Sequence, residues 1–287
     1  MANVKRVLET EVNGLKVNLF EYDIESEESI SQIREYLINK VRISKVHNTV
    51  EYDLTYYGAP NLDSEFVAKF NEQAAKINIP KKSSIPQFDV RRERVTEWMA
   101  QYLLEQEYGC KFYDEADKRI NLKAVEIDKH TDGIDVPGIW IDNDKIRFVV
   151  CEVKASETQK IPCSSAQDLQ VDIQKAIDNV DNRVTREILE YMHGIRNVEI
   201  QDELLNKIVD FLAHLIAGEK EDLAENIMFF PFLLRNNEKI VQERNIDDYK
   251  EFSLRRVKRE NVENIILAFE KQFTEFSTKI YEEAIGE

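Results

Sequence analysis

The stretch at residues 145–155, KIRFVVCEVKA, constrains the fold more than any other part of the chain. From Phe148 to Val153 nearly every residue is apolar, and β-branched residues dominate, which predicts a central strand covered on both faces. Glu152 and Lys154 lie two residues apart, so on a strand they share one face. A buried carboxylate or ammonium group is costly unless it is paired or bound to an ion. Some group at the end of this strand must therefore stabilise both charges.

A second segment, before the strand, supplies a carboxylate for the same place. The tetrapeptide DNDK at positions 142–145 favours a turn. This turn would fold residues 133–141 back beside the strand as a hairpin, and Asp135 would then lie near the register of Glu152 and Lys154. Two carboxylates and a lysine converge at one edge of the predicted sheet. Oxygen ligands of this kind suit a hard divalent cation such as Mg²⁺.

The net charge of the chain limits how it could bind nucleic acid. It has 39 Lys and Arg residues against 55 Asp and Glu, a formal net charge of −16. Because phosphate contacts are made by Lys and Arg, this balance argues against a stand-alone, non-specific nucleic-acid binder. An acidic protein that handles DNA would use its basic islands, at 81–82, 91–94 and 255–259, or a basic partner. For each of these islands, the alternative to a DNA contact is that its residues are solvated surface charges.

The absence of certain patterns disfavours several classes of protein. No apolar run reaches about 18 residues, so we expect no transmembrane helix and no membrane partner, and the N-terminus lacks the apolar region of a signal peptide. The three cysteines show neither disulfide nor metal-ligand spacing, and the four histidines are scattered. These features favour a cytoplasmic protein without a histidine-based zinc site.

The remaining pattern mixes strands and helices, which predicts an α/β layered architecture. Asn13-Gly14 predicts an N-terminal β-hairpin, and the segment 80–86 is the best linker. The predicted division is an N-terminal α+β region, 1–85, with a docking or regulatory role, and a second domain, 86–287. A buried strand is expected at Ile227–Leu234, although Pro231 would remove a ladder hydrogen bond. Other predicted elements are a strand at Leu122–Ile127 and helices at Ser29–Val46, Asp63–Ile77, Asp89–Tyr108, Ser164–Val180, Arg183–Ile195, Ile200–Ile216 and Val262–Ala284.

Asp135, sixteen intervening residues and then Glu152-Val153-Lys154 resemble the core signature of the PD-(D/E)xK nuclease superfamily. In that family an acid lies on the second core strand and (Asp/Glu)-x-Lys on the third. The resemblance implies a nuclease core, a mixed central sheet flanked by helices, here with helical C-terminal additions. A preceding helix often supplies another acid, for which Glu97 is preferred and Glu93 is the alternative. This chain has isoleucine rather than proline directly before the first acid.

A longer succession of residues narrows the resemblance. The segments 94–97 (RVTE), 130–135 (HTDGID) and 151–154 (CEVK) are similar to the HamA-type nuclease subunit of the Hachiman anti-phage system. The similarity covers roughly residues 90–160. It implies a DNA-degrading subunit that works with a helicase partner and is held in check until phage DNA damage or replication triggers it.

The resemblance and the chemistry together assign roles to the site residues. Asp135, Glu152 and the backbone carbonyl of Val153 would bind Mg²⁺, for which Mn²⁺ would substitute, and the cation would offset the negative charge of the transition state. Lys154 would position the attacking water or accept its proton. Nearby carboxylates raise the pKa of a lysine, which favours positioning. Glu97 would orient water or hold a second metal ion.

Other interpretations stay open at this point. Glu152 and Lys154 could form a structural ion pair at a strand end, and the segment 248–250 (DYK) repeats acid-x-Lys in a polar stretch. Two other functions compete: a catalytically silent nuclease-fold module that regulates a helicase, and a restriction-type endonuclease, for which no recognition element is visible. Five residues are either substrate contacts or plain surface and loop positions: Lys123, His130, Gln167, Gln170 and Gln174.

Overall fold

A mixed six-stranded sheet forms the centre of the molecule in the computed structural model. The strands are β1 (Val4–Val12), β2 (Leu15–Tyr22), β3 (Val136–Asp142), β4 (Lys145–Ser156), β5 (Ile227–Asn236) and β6 (Glu263–Phe269). The structure describes residues 4–22, 27–46, 65–66, 69–70, 73, 85–117, 133–142, 145–158, 160–196, 198, 203–218, 223–236, 246–269 and 273–285.

The strand order is β1-β2-β6-β5-β4-β3, and the pairing changes across the sheet. The two edge pairs, β1 with β2 and β3 with β4, are antiparallel hairpins. The four inner strands, β2, β6, β5 and β4, pair in parallel. Parallel strands covered on both faces read as continuous apolar runs, and β4, β5 and β6 are three such runs.

Helices cover both faces of the sheet. They are α1 (Glu27–Val46), α2 (Ile85–Tyr108), α3 (Ser164–Asp178), α4 (Thr185–Ile195), α5 (Glu203–Ile216) and α6 (Phe273–Ile285). Helices α1, α2 and α6 share one apolar core with Val149, Cys151 and Val153 of β4. Helices α3, α4 and α5 share a second core with Phe148 and Val150, on the opposite face. The predicted α/β class is therefore confirmed.

The N-terminal hairpin turns at Asn13 and Gly14, which both have positive φ values. Asparagine and glycine tolerate this conformation, as the Asn-Gly signal predicts. Strand β2 of this hairpin pairs with β6, so it belongs to the same sheet as the hairpin of β3 and β4. The predicted boundary at residue 85 falls at the first residue of α2. The docking or regulatory role of residues 1–85 stays a prediction. Strands β1 and β2 contribute to the same hydrophobic cores as the later strands and helices.

Helices α1 to α5 lie close to their predicted positions, and the largest shift among them is at the start of α2. Helix α2 begins at Ile85 rather than at Asp89, so Asp89 lies inside the helix and is not its N-cap. It ends before Gly109, whose φ of +67° fits the predicted C-terminal stop. The predicted strand Leu122–Ile127 lies outside the described residues. Of the predicted helix Asp63–Ile77, residues 65–66, 69–70 and 73 are described, and they are helical.

The prediction of one long helix at Val262–Ala284 is wrong. Residues Glu263–Phe269 form β6, and α6 begins only at Phe273. Every residue of β6 is buried, because the strand lies between β2 and β5 with helices over both faces. An apolar run of this kind satisfies helical spacing and a buried strand equally well. Three residues, 270–272, separate the two elements.

The strand prediction at Ile227–Leu234 is confirmed by β5, in spite of Pro231. Pro231 pairs with Glu152 of β4, and the pairing with β6 is interrupted at this position between Phe229 and Phe232. The absent N–H group therefore falls on the β6 side. Among the described helices, none combines the length and the hydropathy needed to cross a membrane.

Candidate active site

The hairpin of β3 and β4 brings Asp135 beside Glu152. Val136 pairs with Cys151, and Asp135 immediately precedes this last registered pair. The carboxylate oxygen Oδ2 of Asp135 accepts a hydrogen bond of 2.8 Å from the backbone N–H of Val153. Because side chains alternate along a strand, Glu152 and Lys154 face α3 while Val153 faces α2. The three residues predicted from the sequence thus meet at one end of the sheet.

Glu152 is almost completely withdrawn from solvent, at 2% exposure. Burial raises its pKa well above the ordinary value, and the neighbouring charge of Asp135 raises it further. Arg183 and Lys154 act in the opposite direction but do not outweigh the burial. A buried carboxylate in this state favours either a proton or a bound cation.

Lys154 pairs with Asp172, a residue of α3 that sequence reasoning missed. The distance from Lys154 Nζ to Asp172 Oδ2 is 2.9 Å. Burial opposes the charge of Lys154, but the hydrogen bond to Asp172 and the charges of Asp135, Asp172 and Glu152 outweigh it, so the pKa of Lys154 is raised. Lys154 is therefore a protonated donor rather than a base, as the charge of its neighbours predicts.

Glu152 has its own partner, Arg183, which sequence reasoning also missed. Arg183 lies in a single π-helical turn, Val180–Val184, between α3 and α4. Its Nη2 atom lies 3.0 Å from Oε1 of Glu152 and also donates a hydrogen bond to the carbonyl of Gly133. Glu152 and Lys154 thus each have a separate partner of opposite charge, although they do act on each other's pKa.

Gly133, which precedes the hairpin of β3 and β4, has little space for a side chain. A Cβ atom built on Gly133 would lie 3.1 Å from Oε1 of Glu187, a buried residue of α4. A side chain here would crowd Glu187, whose carboxylate would have to shift by a few tenths of an ångström. Glycine allows the close approach of the α4 carboxylate to the main chain.

Glu97, the acid predicted to come from the preceding helix, lies on α2, which packs against the other face of the sheet from Glu152 and Lys154. Its carboxylate oxygen Oε2 is 3.3 Å from Nη1 of Arg94, one turn earlier in the helix. The role predicted for Glu97, or for Glu93, stays a prediction. The third carboxylate that the described contacts place at the site is Asp172.

The oxygen atoms of the site suit a divalent cation. No cluster of three or more His, Cys, Asp and Glu side chains able to hold a metal exists among the described residues. The site offers two carboxylates, of Asp135 and Glu152, and one main-chain oxygen. The N–H of Val153 donates to Asp135, the residue before β3, so it points to the side of β4 on which β3 lies. The N–H and C=O groups of one strand residue point in the same direction, so the C=O of Val153 points to that side as well. Such an all-oxygen set fits Mg²⁺, which keeps several water ligands.

Two of the three glutamines of α3 contact a loop. Gln170 donates to the carbonyl of Ser253 at 3.1 Å, and Gln174 exchanges hydrogen bonds with the backbone of Arg255. Gln167 is exposed. These contacts give Gln170 and Gln174 a structural role. Lys123 and His130 lie outside the described residues, so their predicted alternatives stay open.

In the second acid-x-Lys segment, 248–250, the acid is buried, although the sequence predicts a polar stretch here. Asp248 and Arg235 are both completely buried, and Arg235 Nε lies 3.0 Å from Asp248 Oδ2. The other oxygen of Asp248 accepts a hydrogen bond from the backbone N–H of Cys163 at 2.8 Å. Lys250, in contrast, pairs with Asp247 at the surface. This segment therefore closes a structural ion pair and offers no second site.

A cavity of about 610 Å³ lies near the first residues of β4, Lys145 and Arg147, and the end of α5 at His214. Glu152 and Lys154 belong to the other end of the same strand, so this cavity is not part of the candidate site.

Two comparisons with known proteins found no match. No protein-family model matches the chain, and no curated protein matches it at a significant level. The fold and the side chains gathered at the end of β4 are therefore the basis on which function is argued.

Proposed function

We propose that this chain is a metal-dependent deoxyribonuclease that hydrolyses phosphodiester bonds. One observation carries the proposal: a carboxylate pair, Asp135 and Glu152, lies beside a protonated lysine, Lys154, at the accessible end of a central sheet. The side chains of Lys154 and Asp172 are about one third and one quarter exposed, at 33% and 26%. A substrate as large as DNA can therefore reach the rim of the site while Glu152 stays dry.

The residues that would hold Mg²⁺ are Asp135, Glu152 and the carbonyl of Val153, with Mn²⁺ as a substitute. The cation would supply charge stabilisation to the phosphoryl oxygens in the transition state. Asp135 is held in place by the N–H of Val153, and Glu152 by Arg183. Held in this way, both carboxylates are orientated before a cation arrives, which lowers the cost of ordering them.

Lys154 would donate hydrogen bonds rather than accept a proton. Its raised pKa keeps it charged at neutral pH, and the ammonium group would orientate the attacking water or stabilise a phosphoryl oxygen. Asp172 would fix the direction of this ammonium group. Glu97 would need a contact beyond the described geometry to take the water-orienting role that the family resemblance gives it.

The finer assignments rest on the sequence resemblance. The order helix, strand and strand, formed by α2, β3 and β4, is compatible with a PD-(D/E)xK core. The similarity over residues 90–160 supports the proposal of a HamA-type subunit of a bacterial anti-phage system, controlled by a helicase partner. The net charge of −16 supports a partner as well, since an acidic chain gains little DNA affinity from its own surface.

A cleavage assay tests the proposed function. Plasmid DNA is incubated with the purified chain and Mg²⁺, with and without the helicase partner, and the variants Glu152→Ala and Lys154→Ala are compared with wild type. We expect each variant to lose at least about 100-fold in rate, because each removes charge that acts on the transition state. Glu275→Ala and Lys279→Ala, an exposed ion pair on α6, are the matched controls and should cleave like wild type.

A second candidate, the catalytically silent module that regulates a helicase, has one observation in its favour. Arg183 already neutralises one oxygen of Glu152, and such a pair can persist without metal. The same assay separates the two candidates. Equal behaviour of wild type, Glu152→Ala and Lys154→Ala, with binding of the partner retained, would favour the silent module and remove the nuclease proposal.

A further inference from the structure

Arg183 is placed at the site by an unusual element of the backbone. Helices α3 and α4 are joined by the π-helical turn Val180–Val184 rather than by a loop. Short π-helical segments are rare and occur often at functional sites. This turn directs the side chain of Arg183 toward the two segments that carry the carboxylates, at Gly133 and at Glu152.

The guanidinium group of Arg183 has donors left over after these two contacts. Both hydrogen bonds come from Nη2. Within the described part of the chain, Nε and Nη1 of Arg183 make no hydrogen bond or ion pair. The side chain is 23% exposed, against 3% for Glu152. Nη2 therefore contacts both segments of the site, while the side chain as a whole stays partly exposed.

The charge of the site indicates what those free donors would meet. Lys154 and Arg183 are the two cations that the described contacts place at the carboxylates of the site. Beside a bound divalent cation, their positive charge would favour an anion. A guanidinium group can bind Glu152 through one nitrogen and a phosphate oxygen through another, and it stays charged at any accessible pH.

We propose that Arg183 contacts the scissile phosphodiester through Nη1 while Nη2 keeps Glu152 in position. The inference rests on the proposed nuclease function and adds a substrate-binding residue to that same site. Arg183 is thus a link between the metal-binding carboxylate and the substrate, and it makes the site selective for anionic, phosphate-bearing chains.

The first test couples Arg183 to the charge of the phosphate. Duplex oligonucleotides carry one neutral methylphosphonate linkage, and cleavage at that linkage is compared with the ordinary linkage at the same position. Wild type should discriminate strongly. Arg183→Gln should cleave the ordinary linkage about 10- to 100-fold more slowly and should discriminate at least about 10-fold less, because the group that senses the charge is absent. Equal discrimination by both proteins would overturn the inference.

The second test measures binding without cleavage. Affinity for a labelled duplex is measured by fluorescence anisotropy with Ca²⁺ in place of Mg²⁺, over a range of salt concentrations. Arg183→Gln should bind several-fold more weakly, and the salt dependence should fall by about one phosphate contact. Arg34→Gln, which removes an arginine from α1 on the other face of the sheet, should bind like wild type. An unchanged affinity and salt slope for Arg183→Gln would contradict the inference.

Two outcomes separate this inference from the proposed function. If wild type does not cleave DNA with or without the helicase partner, both ideas fail together. If wild type cleaves and Arg183→Gln matches it in rate and discrimination, the nuclease proposal stands and Arg183 is only a structural partner of Glu152. Should Arg183→Gln fail to fold, Arg183→Lys keeps the charge. It should retain most of the affinity but lose at least about 10-fold in cleavage rate, because one ammonium nitrogen cannot hold Glu152 in position and contact the phosphate at the same time. Full activity of a folded Arg183→Lys would overturn the inference.

Discussion

Two buried carboxylates, Glu152 and Asp248, each lie against an arginine, but the two pairs have opposite surroundings. The pair of Asp248 and Arg235 is closed, since neither side chain has any exposure and the second oxygen of Asp248 is bonded to the backbone of Cys163. The pair of Glu152 and Arg183 is open on the arginine side, and a second carboxylate and a lysine stand next to it.

This difference separates a pair that stabilises the fold from a pair that would serve a reaction under the proposed function. Burial raises the pKa of both carboxyl groups. Around Asp248, the next contributions after burial are a backbone hydrogen bond and an arginine, which both favour the charged form. Around Glu152, the largest contribution after burial is a second negative charge, that of Asp135. The open pair therefore costs stability that a bound cation would return.

Removal of one member from the closed pair should give the largest loss of stability. Asp248→Ala leaves the charge of Arg235 buried without a partner, so the free energy of unfolding should fall by about 3–5 kcal/mol. The measurement is urea unfolding at neutral pH. The double variant Asp248→Leu/Arg235→Met should recover most of the loss, because no buried charge remains. A loss below about 1 kcal/mol for Asp248→Ala would show that this pair is not structural.

The matching change in the open pair should act in the other direction. The pKa of Glu152 is raised in the folded state, so the folded protein holds a proton that the unfolded chain has released, and stability falls as the pH rises above the ordinary value of 4.5. Glu152→Gln removes this penalty. In the absence of divalent cations it should raise the free energy of unfolding at neutral pH by about 0.5–2 kcal/mol.

The check is thermal unfolding of wild type and Glu152→Gln in EDTA at several pH values. The gain should shrink as the pH falls toward 4.5, and Mg²⁺ should stabilise wild type more than the variant. If Glu152→Gln is as strongly destabilised as Asp248→Ala, the contrast between the two pairs disappears, and Glu152 is a structural residue.

The parts of the site that could be predicted from the sequence are local in the chain. The hairpin of β3 and β4 follows from a turn signal and an apolar run, and these place Asp135, Glu152 and Lys154 together. The requirement for a partner at Glu152 was also predictable, from the cost of burying a charge.

The partners themselves could not be identified in this way. Asp172 and Arg183 come from α3 and from the following turn, and no spacing within those segments indicates which side chain faces the sheet end. The same limit explains β6, where Ile265, Ile266 and Phe269 suit a helix as well as a strand. Only the pairing with β2 and β5 decides between them.

A crystal soaked in Mn²⁺ tests the central claim most directly, through the anomalous signal of the metal. We predict a peak about 2.0–2.4 Å from a carboxylate oxygen of Asp135, a carboxylate oxygen of Glu152 and the carbonyl oxygen of Val153, with water completing the coordination. The absence of a peak at saturating Mn²⁺, with Asp135 still bonded to the N–H of Val153 and Glu152 still bonded to Arg183, would contradict the account.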